Sequence, residues 1–318
     1  MMSIRLINLG ILLIAFLTVV LMMKPFIRKS IKKGFVVADM YKKDKPLIPN
    51  MGGLVILMGV VISLIVAEFF TRLIVPMLIF YFVVFMFALY GLTDDLFSFK
   101  GKMYKVWVLF ILALPIAIIT KDTNLNLIFF NLELGWAYAF IFAPLYIMIV
   151  ANMINMHAGY NGLSGGLVLI ILAFAAFKSY LTNNSQFVYL IAPIFGSLLA
   201  FMYYNKYPSK VFLGNVGSFL IGSALGAYLV LSDIELFGVV ILIPHIINFL
   251  MWMYWTRIMH REPHVKFAKV KRNGIIEPPN GLTIKYLVTK WFKVTEPQAV
   301  YICYALTAVF GVLGLMIV

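Results

Sequence analysis

The chain has 318 residues, of which 63% are hydrophobic and only 12% are charged, and its formal net charge is +14. A soluble domain carries about 25% charged residues, so this composition excludes an ordinary soluble protein and indicates a polytopic membrane protein. The basic residues lie in short segments between apolar runs. This pattern is typical of positive-inside topology and of contact with anionic headgroups, and it argues against nucleic-acid binding.

Ten apolar windows of roughly 16–24 residues predict ten transmembrane helices, and therefore an all-α fold in one membrane-embedded domain over residues 1–318. The first window has no small-residue cleavage site, so we interpret it as a span and not as a removed signal peptide. The predicted spans are 4–24, 51–70, 73–93, 105–120, 134–152, 166–181, 187–204, 216–232, 235–257 and 298–318.

The distribution of Lys and Arg orients these spans. Of the 26 basic residues, 22 fall on the side that carries the loops after the odd-numbered spans. This bias predicts that both termini lie outside and that five segments face the cytoplasm. The five predicted cytoplasmic segments are 25–50, 94–105, 152–166, 205–215 and 258–297.

Unusual polar residues gather in these five segments, whereas the opposite side is nearly featureless. The stretch YGLTDDLFSFKGKMYK (90–105) ends an apolar run with the adjacent carboxylates Asp94 and Asp95, and Lys105 follows them. The stretch ANMINMHAGYNGLSGG (151–166) has no charged residue but combines three asparagines with four glycines. The candidate residues of all five segments are Asp39, Lys42, Asp94, Asp95, Lys105, Asn152, Asn155, Asn161, Gly162, Asn215, His260 and Arg261.

These residue types together predict phosphoryl-group transfer that involves a lipid phosphate. Carboxylate and amide oxygens are the ligands of a hard cation such as Mg²⁺, which often bridges to substrate phosphates. Glycine-rich turns let backbone N–H groups approach phosphate oxygens, and lysines neutralise their charge. Each segment alone has a plainer interpretation, such as snorkelling lysines, glycine turns, or Asp94 and Asp95 as an N-cap pair on the fourth span. The chemistry specifies neither the sugar nor the lipid.

In their order along the chain, these motifs resemble the polyprenyl-phosphate N-acetylhexosamine-1-phosphate transferases, which are ten-span membrane enzymes. The resemblance covers essentially the whole chain and is strongest to the archaeal and eukaryotic branch that makes dolichyl-diphosphate-GlcNAc. The matching stretches are DMYKKDKPLIPNMGG, LTDDLFSFKGKMYK, NMINMHAGYNGL, FLGNVGSFLIG, PHIINFL (244–250) and HREP (260–263).

The resemblance implies roles for the charged residues. Asp94 and Asp95 match the family's catalytic aspartate pair, and Lys105 is similar to the lysine that follows this pair and holds a diphosphate oxygen. Asp39 and Lys42 match a D-x-x-K pair near the lipid phosphate.

The asparagine-rich segment matches the family's N-x-x-N…NG loop, which lines the uridine pocket. Asn152, Asn161 and Gly162 are thereby implied as substrate-binding residues, and Asn155 as a Mg²⁺ ligand.

The last two matches concern the sugar and the metal. His260 and Arg261 lie where the family recognises the N-acetylated sugar and its diphosphate. Asn215 stands where the family usually has an aspartate that ligates Mg²⁺. An amide oxygen can still coordinate Mg²⁺, but it carries no charge, so we expect weaker metal binding.

The resemblance therefore implies transfer of N-acetylhexosamine-1-phosphate, with GlcNAc expected, from a UDP-sugar to a polyprenyl or dolichyl phosphate. UMP would be released in the first step of lipid-linked glycan assembly for protein N-glycosylation. The expected cofactor is Mg²⁺, with Mn²⁺ as the alternative, and the other expected partners are membrane lipids and a second copy in a homodimer. The expected location is the cell membrane with a cytoplasmic active site, or the endoplasmic reticulum membrane in a eukaryote.

Two alternatives remain open. A transporter or lipid flippase would need charges or broken helices at mid-membrane, and His245 in the ninth span is the main candidate for such a feature. A catalytically impaired paralogue that acts as a lipid-binding scaffold is motivated by Asn215 alone.

Overall fold

A computed structural model of the chain describes residues 4–70, 74–98, 102–127, 129–255 and 267–318. The described residues form α-helices joined by short connections and by three small antiparallel hairpins. The helices are α1 (Ile4–Lys32), α2 (Gly53–Phe70), α3 (Val75–Phe97), α4 (Lys102–Ala113), α5 (Ala143–Met156), α6 (Leu163–Leu181), α7 (Val188–Asn205), α8 (Gly214–Leu231), α9 (Glu235–Ile241), α10 (Ile243–Met253), α11 (Ile284–Phe292) and α12 (Glu296–Ile317). The hairpins pair β1 (Val36–Ala38) with β2 (Leu47–Pro49), β3 (Asn124–Asn126) with β4 (Asn131–Glu133), and β5 (Lys269–Val270) with β6 (Ile276–Glu277).

The helices confirm the predicted all-α polytopic fold. Within the described residues, seven helices are long and apolar enough to cross a membrane, or eight if α9 and α10 count as one span bent by 65°. Two shorter apolar stretches, Gly53–Phe69 and Tyr104–Ile118, occupy the second and fourth predicted windows. Every predicted window therefore contains a helix, but a count of ten full spans is not confirmed, because two of the helices are short and the ninth span is broken.

Two helices extend beyond their predicted ends. α1 runs through Pro25 to Lys32, eight residues past the predicted boundary at 24, and the lysines of its last turn interact favourably with the helix dipole. α3 continues to Phe97 and ends where Ser98 adopts a left-handed conformation with φ 47° and donates its N–H to the Asp94 carbonyl. Asp94 and Asp95 therefore lie in the last helical turn and not in the loop where the sequence pattern placed them.

α8 occupies the centre of the bundle, and all of its residues from Val216 to Leu231 are buried. Glycines on α8 allow α5 to pack closely: a Cβ at Gly222 would lie 2.8 Å from the Cα of Ala151, and one at Gly226 would lie 3.0 Å from the Cα of Ile147. Small residues at such positions are the usual means of close helix packing in membranes. The first turn of α8 is thereby held beside the ends of α3 and α5.

A smaller hydrophobic core joins the non-membrane segments to α12. It was not predicted, because α11 lies inside a segment that the apolar windows assign to a cytoplasmic loop. α11 is amphipathic and buries Ile284, Tyr286 and Val288. The members of this core are Tyr41, Tyr160, Leu163, Leu167, Ala268, Ile276, Ile284, Tyr286, Val288, Ala299, Val300 and Cys303.

Candidate active site

The carboxylate pair at the end of α3 contacts the start of α8. Asp95 accepts backbone hydrogen bonds through both carboxylate oxygens, from the N–H of Asn215 to Oδ1 and from the N–H of Val216 to Oδ2, each at 3.0 Å. The first N–H groups of a helix have no partner within that helix, and they are commonly satisfied by an acceptor side chain. Asp95 therefore caps α8 from a different helix, and not the fourth span as the plainer interpretation suggested.

The turn that leads into α8 requires a glycine. Gly214 has φ +73°, a conformation that favours glycine. A Cβ at this position would also lie 2.8 Å from Oδ2 of Asp95 and 2.9 Å from the Cα of Met51. The glycine therefore allows the backbone of α8 to approach the carboxylate of Asp95.

Asp94 connects the pair to two other predicted site residues. Its Oδ1 accepts a hydrogen bond from Nζ of Lys105 at 2.6 Å, and its Oδ2 accepts one from Nδ2 of Asn215 at 3.1 Å. The side chains of Lys105 and Asp94 are 28% and 11% exposed, so this ion pair is partly shielded from water. The structure thus brings together Asp94, Asp95, Lys105 and Asn215 from three helices.

Asn155 joins this group through Ser218. The Ser218 hydroxyl lies 2.6 Å from Oδ1 of Asn155 and 3.2 Å from the carbonyl oxygen of Asn215. Because a hydroxyl has one proton, it can donate to only one of these oxygens at a time. Asn152, one turn earlier on α5, instead donates its amide to the carbonyl of Met148 on its own helix at 2.9 Å.

A cavity of about 590 Å³ opens beside these residues. Asp95, Asn155 and Asn215 line it, and so do a Gly-Tyr turn at 159–160 and side chains from α11. The aromatic residues of the lining are Tyr41, Tyr160, Phe212, Phe267 and Tyr286. A cavity of this size with a few convergent polar groups has the character of a small-molecule binding site.

Asp39, Lys42 and Asn161 form a buried network with Glu296, which sequence analysis did not single out. Nζ of Lys42 lies 3.2 Å from Asp39 and 2.5 Å from Glu296, and both carboxylates are only 2% exposed. Asn161 donates its side-chain amide to Asp39 at 3.1 Å and its backbone N–H to Glu296 at 2.6 Å. The backbone N–H of Ser209 donates to the Asn161 side chain at 2.8 Å. This network ties three loops to the start of α12.

The remaining predicted residues fall into two groups. Gly162 has φ +81° at the start of α6, and its carbonyl accepts a hydrogen bond from the Tyr304 hydroxyl at 2.6 Å. Its lack of a side chain thus has a conformational reason in addition to the binding role that the resemblance implies. His260 and Arg261 lie outside the described residues.

Lys285 is a second residue that sequence analysis missed. It lines the cavity from α11 and is 8% exposed. No signal in the sequence separates it from Lys290, which lies on the same helix and is exposed. Burial also lowers the pKa of the neighbouring His157 well below its ordinary value, so this imidazole is neutral.

The donor set fits a hard cation. Asp94 and Asp95 supply carboxylate oxygens and Asn155 and Asn215 supply amide oxygens, which are the ligand types of Mg²⁺. Among the residues that the structure describes, no group of three or more His, Cys, Asp or Glu side chains is placed to hold a metal. A metal at this junction would therefore depend on the two carboxylates together with amide oxygens.

Comparisons with known proteins identify the family of this chain. Residues 77–233 match the family model described as glycosyl transferase family 4. A putative glycosyltransferase from Methanocaldococcus jannaschii is 30% identical over 310 residues, which cover 96% of this chain and 95% of that protein. The chain belongs to glycosyl transferase family 4.

Two further relatives carry more specific names. A putative UDP-N-acetylglucosamine–dolichyl-phosphate N-acetylglucosaminephosphotransferase from Saccharolobus solfataricus is 29% identical over 92% of this chain and 90% of its own length. A probable undecaprenyl-phosphate N-acetylglucosaminyl 1-phosphate transferase from Bacillus subtilis is 31% identical over 74% of this chain and 67% of its own length.

The glycosyl transferase family 4 match runs from α3 to α8. It contains the junction of Asp94, Asp95, Asn155 and Asn215. The buried network and the α11 wall of the cavity draw residues from outside the matched range, among them Asp39, Lys42, Lys285 and Glu296.

Proposed function

We propose that this family 4 protein transfers N-acetylglucosamine-1-phosphate from a UDP-sugar to a polyprenyl phosphate and releases UMP. The observation that carries the proposal is the junction of α3, α5 and α8, where Asp95, Asn155 and Asn215 line a cavity of about 590 Å³ within an apolar helix bundle and Asp94 accepts a hydrogen bond from Asn215. The names of the archaeal and bacterial relatives support the same reaction class and substrate classes.

In this reaction an oxygen of the lipid phosphate attacks the β-phosphorus of the UDP-sugar. The bond between the β-phosphorus and the oxygen that bridges it to the α-phosphorus breaks, and the bridging oxygen leaves with UMP. The product is a lipid diphosphate that carries the sugar. Catalysis of such a transfer depends mainly on positioning and on stabilising negative charge. Lys105, whose Nζ lies 2.6 Å from Asp94, would supply one of the required positive charges.

We assign the metal role to the same junction. Asp94, Asp95, Asn155 and Asn215 would hold Mg²⁺, with Mn²⁺ as the alternative, and the bound ion would neutralise phosphate charge. Asn215 already contacts another of the proposed ligands, because its side-chain amide donates a hydrogen bond to Asp94.

The lipid substrate and the orientation complete the proposal. The dolichyl-phosphate names of the archaeal relatives favour a dolichyl phosphate and a role in the first step of lipid-linked glycan assembly for N-glycosylation. The excess of Lys and Arg on the side of the candidate site favours a cytoplasmic active site.

The test is UMP release by the purified full-length protein with UDP-GlcNAc, Mg²⁺ and either dolichyl or undecaprenyl phosphate. We expect Asp94→Asn and Asp95→Asn each to lower turnover by orders of magnitude while the folded protein is retained. Asp44→Asn, which changes an exposed aspartate of the first cytoplasmic segment, is the matched control and should retain full turnover. Near-normal turnover in both Asp94→Asn and Asp95→Asn would show that these two carboxylates have a structural role only.

Among the described residues, the break between α9 and α10 is the feature that favours a transporter or flippase. His245, just after the break, is 1% exposed and packs edge-on against His157 with ring centroids 4.6 Å apart. Lipid movement across proteoliposomes in the absence of UDP-sugar would support the transporter, whereas UMP release without such movement would support the transferase.

A further inference from the structure

Lys285 is a buried cation for which the described part of the chain offers no anionic partner. Its Nζ donates a hydrogen bond to the carbonyl oxygen of Ala158 at 2.5 Å, and the residue is 8% exposed. The described part of the chain places no carboxylate within salt-bridge distance of this ammonium group. Glu296, a carboxylate whose charge interacts with that of Lys285, is already paired with Lys42. Burying an ammonium group with only a neutral acceptor is unfavourable.

Three tyrosine rings surround this ammonium group. Nζ lies 5.5 Å from the ring centroid of Tyr41, 5.3 Å from that of Tyr160 and 5.4 Å from that of Tyr286. The hydroxyls of Tyr41 and Tyr286 are hydrogen-bonded to each other at 2.9 Å. Aromatic faces attract a cation, but they do not neutralise its charge. The cage therefore fixes the position of the lysine and leaves its charge uncompensated.

The glycine turn at 159 makes room for the tip of the lysine. Gly159 has φ +120°, and a Cβ at this position would lie 2.2 Å from Nζ of Lys285. Lys285 and Gly159 line the same cavity as Asp95, Asn155 and Asn215. Among the described residues of the lining, Lys285 is the only cationic side chain. The cavity thus offers one fixed positive charge among lining residues that also include carboxylates.

We propose that Lys285 binds the phosphate group that the nucleotide keeps during transfer, so that one contact holds both the UDP-sugar and the UMP product. This inference rests on the proposed function, because that reaction supplies the phosphates. The nucleotide is favoured over the lipid because α11 is not one of the apolar spans and a water-soluble substrate can reach it. The aromatic rings of Tyr41 and Phe267 on the same cavity lining are suited to stack against a base.

The test compares UMP with uridine as ligands of the purified full-length protein by calorimetry. Lys285→Met removes the charge and keeps an apolar stem, and Lys290→Met on the exposed side of the same helix is the matched control. We expect Lys285→Met to weaken UMP binding about 10- to 100-fold, as is usual for loss of a buried charged hydrogen bond, and to leave uridine binding unchanged. The KM for the lipid phosphate should also remain unchanged.

Each other outcome contradicts the proposal in a recognisable way. Equal weakening of UMP and uridine would place Lys285 at the base, and a raised KM for the lipid would place it at the lipid phosphate. Unchanged UMP binding would leave Lys285 as a structural contact to Ala158. Because binding is measured without turnover, absence of UMP release by the wild-type protein would refute the proposed reaction and not the phosphate contact.

A pH titration of the wild-type protein tests the contact without any variant that could fail to fold. Burial lowers the pKa of Lys285 to about 8. The amine is therefore protonated and positively charged below this pH, and it loses its charge as pH rises through it. The phosphate of UMP is already fully charged there, since its second pKa is about 6. UMP affinity should therefore fall between pH 7 and pH 9, and a flat profile would contradict the proposal. The titratable groups around Lys285 are Tyr41, His157, Tyr160, Tyr286, Glu296 and Cys303.

Discussion

Substitution of Gly91 by alanine should separate α3 from the first turn of α8. A Cβ at Gly91 would lie 2.4 Å from the carbonyl oxygen of Asn215 and 2.8 Å from the Cα of Val216. Ordinary van der Waals contact begins at 3.4 Å, so the added methyl group requires a displacement of about 1 Å. The opposing atoms belong to the backbone, and no change of side-chain rotamer can relieve the overlap.

This displacement falls on the contact that positions the carboxylate pair. The two backbone hydrogen bonds to Asp95, each 3.0 Å long, would lengthen to about 4 Å and would no longer be hydrogen bonds. A misplacement of about 1 Å in an active site can lower turnover about 100-fold. Overpacking of a tight contact also costs about 1–3 kcal/mol in stability.

The assay is UMP release, together with thermal unfolding of the detergent-solubilised protein. Gly10→Ala is the matched control, because a Cβ at Gly10 on α1 has no neighbouring atom within 4 Å. We expect a large loss of turnover and a lower unfolding temperature for Gly91→Ala, and neither effect for Gly10→Ala. Turnover of Gly91→Ala within about threefold of the wild-type value would refute the idea that the α3–α8 contact sets the geometry of the site.

Three further predictions concern the network, the metal and the topology. Lys42→Met removes the cation next to the buried Glu296 carboxylate, so the free energy of unfolding, measured by thermal unfolding, should fall by about 3 kcal/mol. Adding Glu296→Gln to the same chain should restore part of this loss. Asn215→Asp adds a carboxylate at the proposed metal site and should lower the Mg²⁺ concentration for half-maximal UMP release roughly tenfold. If the Mg²⁺ titration curves of the variant and the wild-type protein superimpose, Asn215 is not a ligand. Lys43→Cys and Lys271→Cys, both exposed, should resist an impermeant thiol reagent added outside intact cells, and ready labelling would reverse the predicted orientation.

Sequence reasoning succeeded where the information is local. Each apolar window sums hydropathy over about 20 residues, and each contains a helix in the structure. Lys105, which the sequence analysis grouped with Asp94 only 11 residues earlier, lies 2.6 Å from it in the structure. The break in the ninth span was not predicted, although Pro244, just after the bend, disfavours a continuous helix.

The remaining features depend on contacts between distant parts of the chain. Asp95 caps a helix whose first turn lies 120 residues further along, and no pattern around Asp95 reports this partner. Glu296 resembles an ordinary acidic residue in the first turn of a helix, and Lys285 resembles a solvated lysine of a basic loop. Their burial becomes evident only when α11 and α12 pack against the loops from the first half of the chain.

The link between Lys42 and Glu296 has a consequence for biogenesis. Its two ends are 254 residues apart, and Glu296 opens the last helix of the chain. During synthesis the ribosome makes Lys42, Asp39 and Asn161 long before Glu296, so Lys42 and the backbone N–H of Asn161 lack their Glu296 partner until α12 is made. The loops that carry these residues can therefore adopt their final arrangement only after translation has reached α12.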